Sequence, residues 1–121
     1  MYSFGGSVQL YYSNITGNTA GDRGGGVYNL QGSTVVQDSI IADNTAVYRG
    51  GGIYQRDGTL TVTRSVIKDN RQTGADIEWM QNGGGGVFVG VNAVVTIRES
   101  TFDQNHATGT NKGHQIYDVL C

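Results

Sequence analysis

Proline is absent from the 121 residues, and cysteine occurs once, at Cys121. A single thiol cannot form a disulfide within the chain, so no covalent staple is expected. Glycine is abundant at 20 residues, yet without proline or a Gly-X-Y period it does not make a collagen. Charge is scarce at 15%, with 8 basic against 10 acidic residues and no basic run. That balance argues against a nucleic-acid partner held by phosphate contacts. No apolar stretch approaches the roughly 18 residues that span a membrane, and the opening residues do not read as a signal peptide. Nowhere do apolar residues recur at the i, i+3, i+4 spacing of a helix, so crossover helices between strands are not available.

What the chain has instead is a repeat. Val27-Tyr28 returns as Ile53-Tyr54, Gly32 as Gly58, Ser39 as Ser65, Ile41 as Ile67 and Asn44 as Asn70, each 26 residues later. Backwards, the frame takes in Met1-Tyr2, Gly6, Ser13, Ile15, Asn18 and the run Gly24-Gly25-Gly26. Forwards, it takes in Val87-Phe88, Asn92, Ser100, Phe102, Asn105 and Gly113. The units are 1–26, 27–52, 53–86 and 87–115, with a stub at 116–121. The third unit carries eight extra residues between Asn70 and Gly84; the fourth carries one before Ser100 and two between Asn105 and Gly113.

Within a unit the pattern is that of short strands. Leu60 and Val62 alternate with Thr59, Thr61 and Thr63, a period of two rich in β-branched residues. Val8 and Leu10, Thr34 and Val36, and Val95 and Ile97 hold the same places. A second strand carries Ile15, Ile41, Ile67 and Phe102, and a third carries Val27, Ile53, Val87 and Ile116. The predicted corners are Ser-centred, Asn-centred and Gly-rich. Asp57-Gly58 is a hairpin signal, but antiparallel meanders do not require like to follow like every 26 residues. A coil does, because each residue then lies over its counterpart about 4.8 Å away. The expected fold is an all-β, right-handed parallel β-helix of about four coils with three strands per coil, forming a single domain over 1–121.

The columns make physical sense on that fold. Leu10, Val36, Val62 and Ile97, then Ile15, Ile41, Ile67 and Phe102, fill the inside. Asn18, Asn44, Asn70 and Asn105 can form an amide ladder, and asparagine tolerates the left-handed backbone of a sharp corner. Arg64 falls between Asp38 and Glu99, and Lys68 under Asp103, so charges alternate in register.

Gly-Gly-[Ile/Val]-Tyr followed by Ser-x-[Ile/Phe]-x-x-Asn resembles the repeat of polymorphic outer-membrane proteins and similar surface β-helices. The matches are Gly25-Gly26-Val27-Tyr28, Gly51-Gly52-Ile53-Tyr54, Gly85-Gly86-Val87-Phe88 and the degraded His114-Gln115-Ile116-Tyr117. The second motif runs from Ile15 to Asn18, Ile41 to Asn44, Ile67 to Asn70 and Phe102 to Asn105. Only the last has the phenylalanine usual in that family. The resemblance implies a surface-exposed adhesin, autotransporter passenger or structural protein; other proteins of this architecture cleave polysaccharides.

Candidate chemistry is sparse. Asp43 and Asp69 share a column one coil apart, a separation that would suit a retaining pair in a polysaccharide lyase or hydrolase. Any two stacked carboxylates meet that distance, and the next place in the column is Gln104, so a solvated acidic corner is the simpler account. His106 and His114 flank a loop but have no third ligand in register, and no metal site or cofactor is expected. The glycine runs do not extend to Gly-x-Gly-x-x-Gly, since the sixth places are Asn29, Gln55 and Val89, and no helix follows. Asn14-Ile15-Thr16 is a formal glycosylation sequon, but Ile15 belongs to a core column.

The insertion at 71–82 is the one stretch the coil does not need. It holds Asp76, Ile77, Glu78, Trp79 and Met80, and Trp79 would either anchor a glycan or protein partner or fold back on the flank of the helix. The expected function is a non-enzymatic extracellular or cell-surface scaffold, adhesive or structural, with a carbohydrate-active enzyme or glycan-binding module as the alternative. Expected partners are further β-helix coils or other copies of the chain stacked end to end into filaments, and a glycan or surface protein.

Overall fold

The structure, a computed structural model, describes residues 1–74, 83–108 and 116–118, with Val91 and 116–118 as backbone only. Every strand pair in it is parallel, and three sheets run along the axis of one coil. The first face stacks Tyr2–Ser3, Val27–Asn29, Ile53–Thr63, Val87–Arg98 and Ile116–Asp118, with Val8–Tyr11 and Ser33–Gln37 joining it alongside. Asn14–Thr16, Ile40–Ala42, Val66–Lys68 and Thr101–Asp103 make the second. The third is narrow: Thr19–Ala20, Thr45–Ala46, Arg71–Gln72 and His106–Ala107. Hydrogen-bonded neighbours are the residues the repeat aligns, Val36 with Val62 and Ile97, Ile41 with Ile67 and Phe102, Val27 with Ile53 and Val87. This is the parallel β-helix read from the sequence.

The faces are composed differently from the expectation. The strands carrying Ile53 and Leu60 lie in one sheet, and in the third and fourth coils they fuse into Ile53–Thr63 and Val87–Arg98. Asp57-Gly58 is therefore no hairpin turn: Gly58 sits inside a continuous strand at φ 85°, directly over Gly32 at φ 94°. A Cβ at Gly58 would collide with the Gly32 carbonyl oxygen, so glycine is needed here for both conformation and approach. The third face comes from the stretch after each ladder asparagine, whose two-residue strands are too short to show a period. The residue added before Ser100 is absorbed as a shift of register between Val89 and Asn92 rather than as a loop.

The core is a single aliphatic column bundle, with Val27, Val36, Ile41, Ile53, Val62 and Ile67 fully buried. Ile97, in register with the buried Val62, is 36% exposed.

Corners depart from the expectation in one respect. The asparagines do not take the left-handed conformation; the residue before each one does. Gly17, Asp43, Asp69 and Gln104 have φ of 71°, 56°, 53° and 52°. At the other corner Tyr12, Asp38, Arg64 and Glu99, each immediately before a ladder serine, have φ of 50°, 50°, 44° and 51°. The chain turns on the outward residue, which leaves the following Asn or Ser side chain pointing inward, where it bonds to its counterparts.

Candidate functional surface

Two inward ladders take up most of the buried polar chemistry. Asn44 donates from its backbone N–H and from Nδ2 to Asn70 Oδ1, both at 3.0 Å, and Asn70 repeats this toward Asn105 Oδ1 at 3.0 and 2.9 Å. Each Nδ2 also donates to a carbonyl of the preceding coil: Asn44 to Ile15, Asn70 to Ile41, Asn105 to Ile67. The serine corner makes a second ladder. The N–H of Ser13 donates to Ser39 Oγ, that of Ser39 to Ser65 Oγ and that of Ser65 to Ser100 Oγ. Each hydroxyl then donates two residues back along its own chain, as Ser65 does to Thr63 O at 2.8 Å. Two buried glutamines add clamps in the third coil. Gln55 Nε2 donates to Gly32 O and Asp57 O, and Gln72 Nε2 to Val47 O and Gly74 O. Apart from the half-buried Ser13 and Ser100 at the ladder ends, these groups are buried and consumed by the fold.

Asp43 and Asp69, the sequence candidates for catalysis, stand at equivalent left-handed corners of adjacent coils. Asp43 is exposed and Asp69 half-buried, and their place is explained by the backbone: aspartate is among the few side chains that accept this conformation readily. Among the described residues no three His, Cys, Asp or Glu side chains cluster as a metal site. His106 is exposed on the third face in register with Arg71, whereas His114 lies outside the described residues. So do Asp76, Ile77, Glu78, Trp79 and Met80, the candidate binding loop. In the sequon, Asn14 and Thr16 are exposed and Ile15 is half-buried.

At the serine corner Arg64 makes a two-pronged contact with Asp38, Nε to Oδ1 at 2.9 Å and a second nitrogen to Oδ2 at 3.0 Å. These hydrogen bonds hold the Asp38 carboxyl below its ordinary 3.8, and the same bonds hold the Arg64 guanidinium above its usual value, with Glu99 adding to the effect. The alternation read from the sequence is thus a real ion pair, though an exposed one.

An external column of rings runs along the first face. Tyr2, Tyr28, Tyr54 and Phe88 stack with centroids 4.7, 5.1 and 5.5 Å apart. The Arg23 guanidinium lies 5.7 Å from the Tyr54 ring centre and that of Arg49 4.8 Å from Phe88. Partial burial opposes the Arg23 charge, but the Tyr28 hydroxyl, Asp22 and the ring hydroxyls outweigh it and raise its pKa. Leu30 packs beside the rings, and Tyr54 and Phe88 are 2% exposed. Ring faces used against one another cannot also stack on a sugar, so this column holds coils together. The sequence showed the Tyr and Phe places without showing that they touch.

The remaining outward side chains of the first face form a grid. Ser7, Gln9 and Tyr11 stand over Ser33, Val35 and Gln37, then over Thr59, Thr61 and Thr63, then over Val94, Thr96 and Arg98. Rows are about 4.8 Å apart and columns about 6.7 Å. Six of these groups are hydroxyl-bearing Ser or Thr, two are amides, and Arg98 is the only charge. In the first coil Phe4 and Tyr12 are 67% and 83% exposed at either end of the grid, with Tyr11 at 45%.

Residues 2–118 match the family model of the right-handed β-helix region, so the chain belongs to the right-handed β-helix family. No curated protein and no solved structure gives a significant match to it.

Proposed function

We propose that this chain is a non-enzymatic β-helix scaffold of the cell surface or extracellular space, structural or adhesive, in the manner of the polymorphic outer-membrane repeats its motifs resemble. One observation carries the reading. The buried Asn and Ser side chains are committed to ladders between coils, while the broad outward grid of the first face is hydroxyl-rich and carries one charge, Arg98. A face of that kind suits a neutral polymer or another flat polar surface, held by many weak hydrogen bonds rather than by one deep pocket. It has no cationic stripe to attract nucleic acid. Among the described residues no helix is long and apolar enough to cross a membrane, which leaves β-barrel segments unaddressed.

Stacking on further coils is part of the proposal. Within the chain Val8–Tyr11 and Asn14–Thr16 pair on one side only, and such edges accept another parallel rung, from more polypeptide or from a second copy. A panel of immobilised neutral and acidic polysaccharides tests the binding reading. Retention on neutral polymers without release of fragments supports it; fragment release, or retention on acidic polymers alone, contradicts it.

A further inference from the structure

The geometry points to Tyr2 and Tyr28 as an oxidative cross-linking site that ties the first coil to the second. Their rings are stacked at 4.7 Å with an interplanar angle of 12°, the tightest and most parallel pair in the ring column. The register Tyr2 to Tyr28 is held by main-chain bonds, including Tyr28 N–H to Met1 O at 2.7 Å and the terminal ammonium to Gly26 O at 2.9 Å. Tyr2 is 67% exposed and Tyr28 half-buried, so an external oxidant reaches the pair.

The chemistry needs a one-electron oxidant from outside, such as a haem peroxidase with hydrogen peroxide. Each phenol loses its hydroxyl hydrogen as a proton and an electron, giving two phenoxyl radicals side by side. The radicals join through the ring carbons ortho to the oxygens. The hydrogens on those two carbons then leave as protons while both oxygens are reprotonated, restoring two aromatic phenols. Overall, two tyrosines and one hydrogen peroxide give one dityrosine and two waters. A stacked pair must turn one ring to form the bond, and Tyr2, on a two-residue strand at the sheet edge, is the ring with room to do so.

Tyr54, Tyr11 and Tyr12 are less suited to coupling within the chain. Tyr54 is 2% exposed, tilted 29° from Tyr28 and overlain by Arg23. Tyr11 faces out from a strand while Tyr12 stands on the corner, so each meets other molecules more readily than each other.

The test is to oxidise the 121-residue chain at high dilution with peroxidase and hydrogen peroxide, then digest with trypsin and sequence the products by mass spectrometry. The expected product joins peptides 1–23 and 24–49, lighter than their sum by two hydrogens, with the bond at Tyr2 and Tyr28. Tyr2→Phe and Tyr28→Phe, which keep the stacked ring, should each abolish it and its dityrosine fluorescence, while Tyr11→Phe with Tyr12→Phe should leave it in place. Survival of the joined peptides in Tyr2→Phe, or the appearance of cross-linked dimers only, would overturn the assignment.

Discussion

Asn70 Oδ1 accepts two hydrogen bonds from Asn44, one from the backbone N–H and one from Nδ2, each 3.0 Å long. Both residues are wholly buried, so neither oxygen nor amide can turn to water if its partner is lost. Each unpaired buried group costs about 1–3 kcal/mol. Asn70→Ala leaves several groups unpaired at once and should lower unfolding stability by about 3–5 kcal/mol, measured by urea denaturation. Asn18→Ala, at the exposed outer end of the ladder, should cost about 1 kcal/mol or less. Equal losses at the two positions would show that the ladder does not act through burial.

Gly58 and Gly17 both have positive φ, at 85° and 71°, but only Gly58 is crowded by the coil below. A Cβ at Gly17 meets nothing within 4 Å. Gly17→Ala should therefore cost about 1–2 kcal/mol, the conformational penalty alone. Gly58→Ala adds a clash with the Gly32 carbonyl and should lower thermal stability by a clearly larger step, read as a drop in Tm.

The Asp38 and Arg64 pair makes a pH signature with a definite sign. Because Arg64 depresses the folded-state pKa of Asp38 below 3.8, the pair's contribution is present above that value and is lost as pH falls through the depressed one. Stability measured across acid pH should show this loss, and Asp38→Asn should flatten it. Salt should shrink the difference, since Arg64 is exposed and Asp38 only half-buried.

Asp43→Asn and Asp69→Asn keep a side chain that accepts left-handed backbone, so each should change stability by no more than about 0.5 kcal/mol. Asp69→Val, with a branched side chain at φ 53°, should cost about 2 kcal/mol. Thermal denaturation of the three variants separates a corner role from any other.

The periodicity made the coil legible because in-register stacking forces each column to keep its chemistry. Val27, Ile53 and Val87, or Asn44, Asn70 and Asn105, disclose the fold by repeating. The third face was not legible, since Thr45–Ala46 and Arg71–Gln72 are two residues long and no period shows in two. Nor was the left-handed residue at each corner, because Asp43, Asp69 and Gln104 share a backbone conformation rather than a chemical type. The serine ladder had a visible signal in Ser13, Ser39, Ser65 and Ser100, but its bonding depends on which way the corner turns. Surface function was least legible of all, because the grid of Ser, Thr and Gln is defined only once the coils are in register.

The most direct measurement of the scaffold reading is to incubate the chain and its Asp43→Asn, Asp69→Asn double variant with neutral and acidic polysaccharides. Binding and the release of new chain ends are then followed together. The account predicts that both proteins bind the same neutral polymers with similar affinity and that neither releases new ends. Release of chain ends by the unsubstituted protein, abolished in the double variant, would contradict it and make the corner carboxylates a catalytic pair.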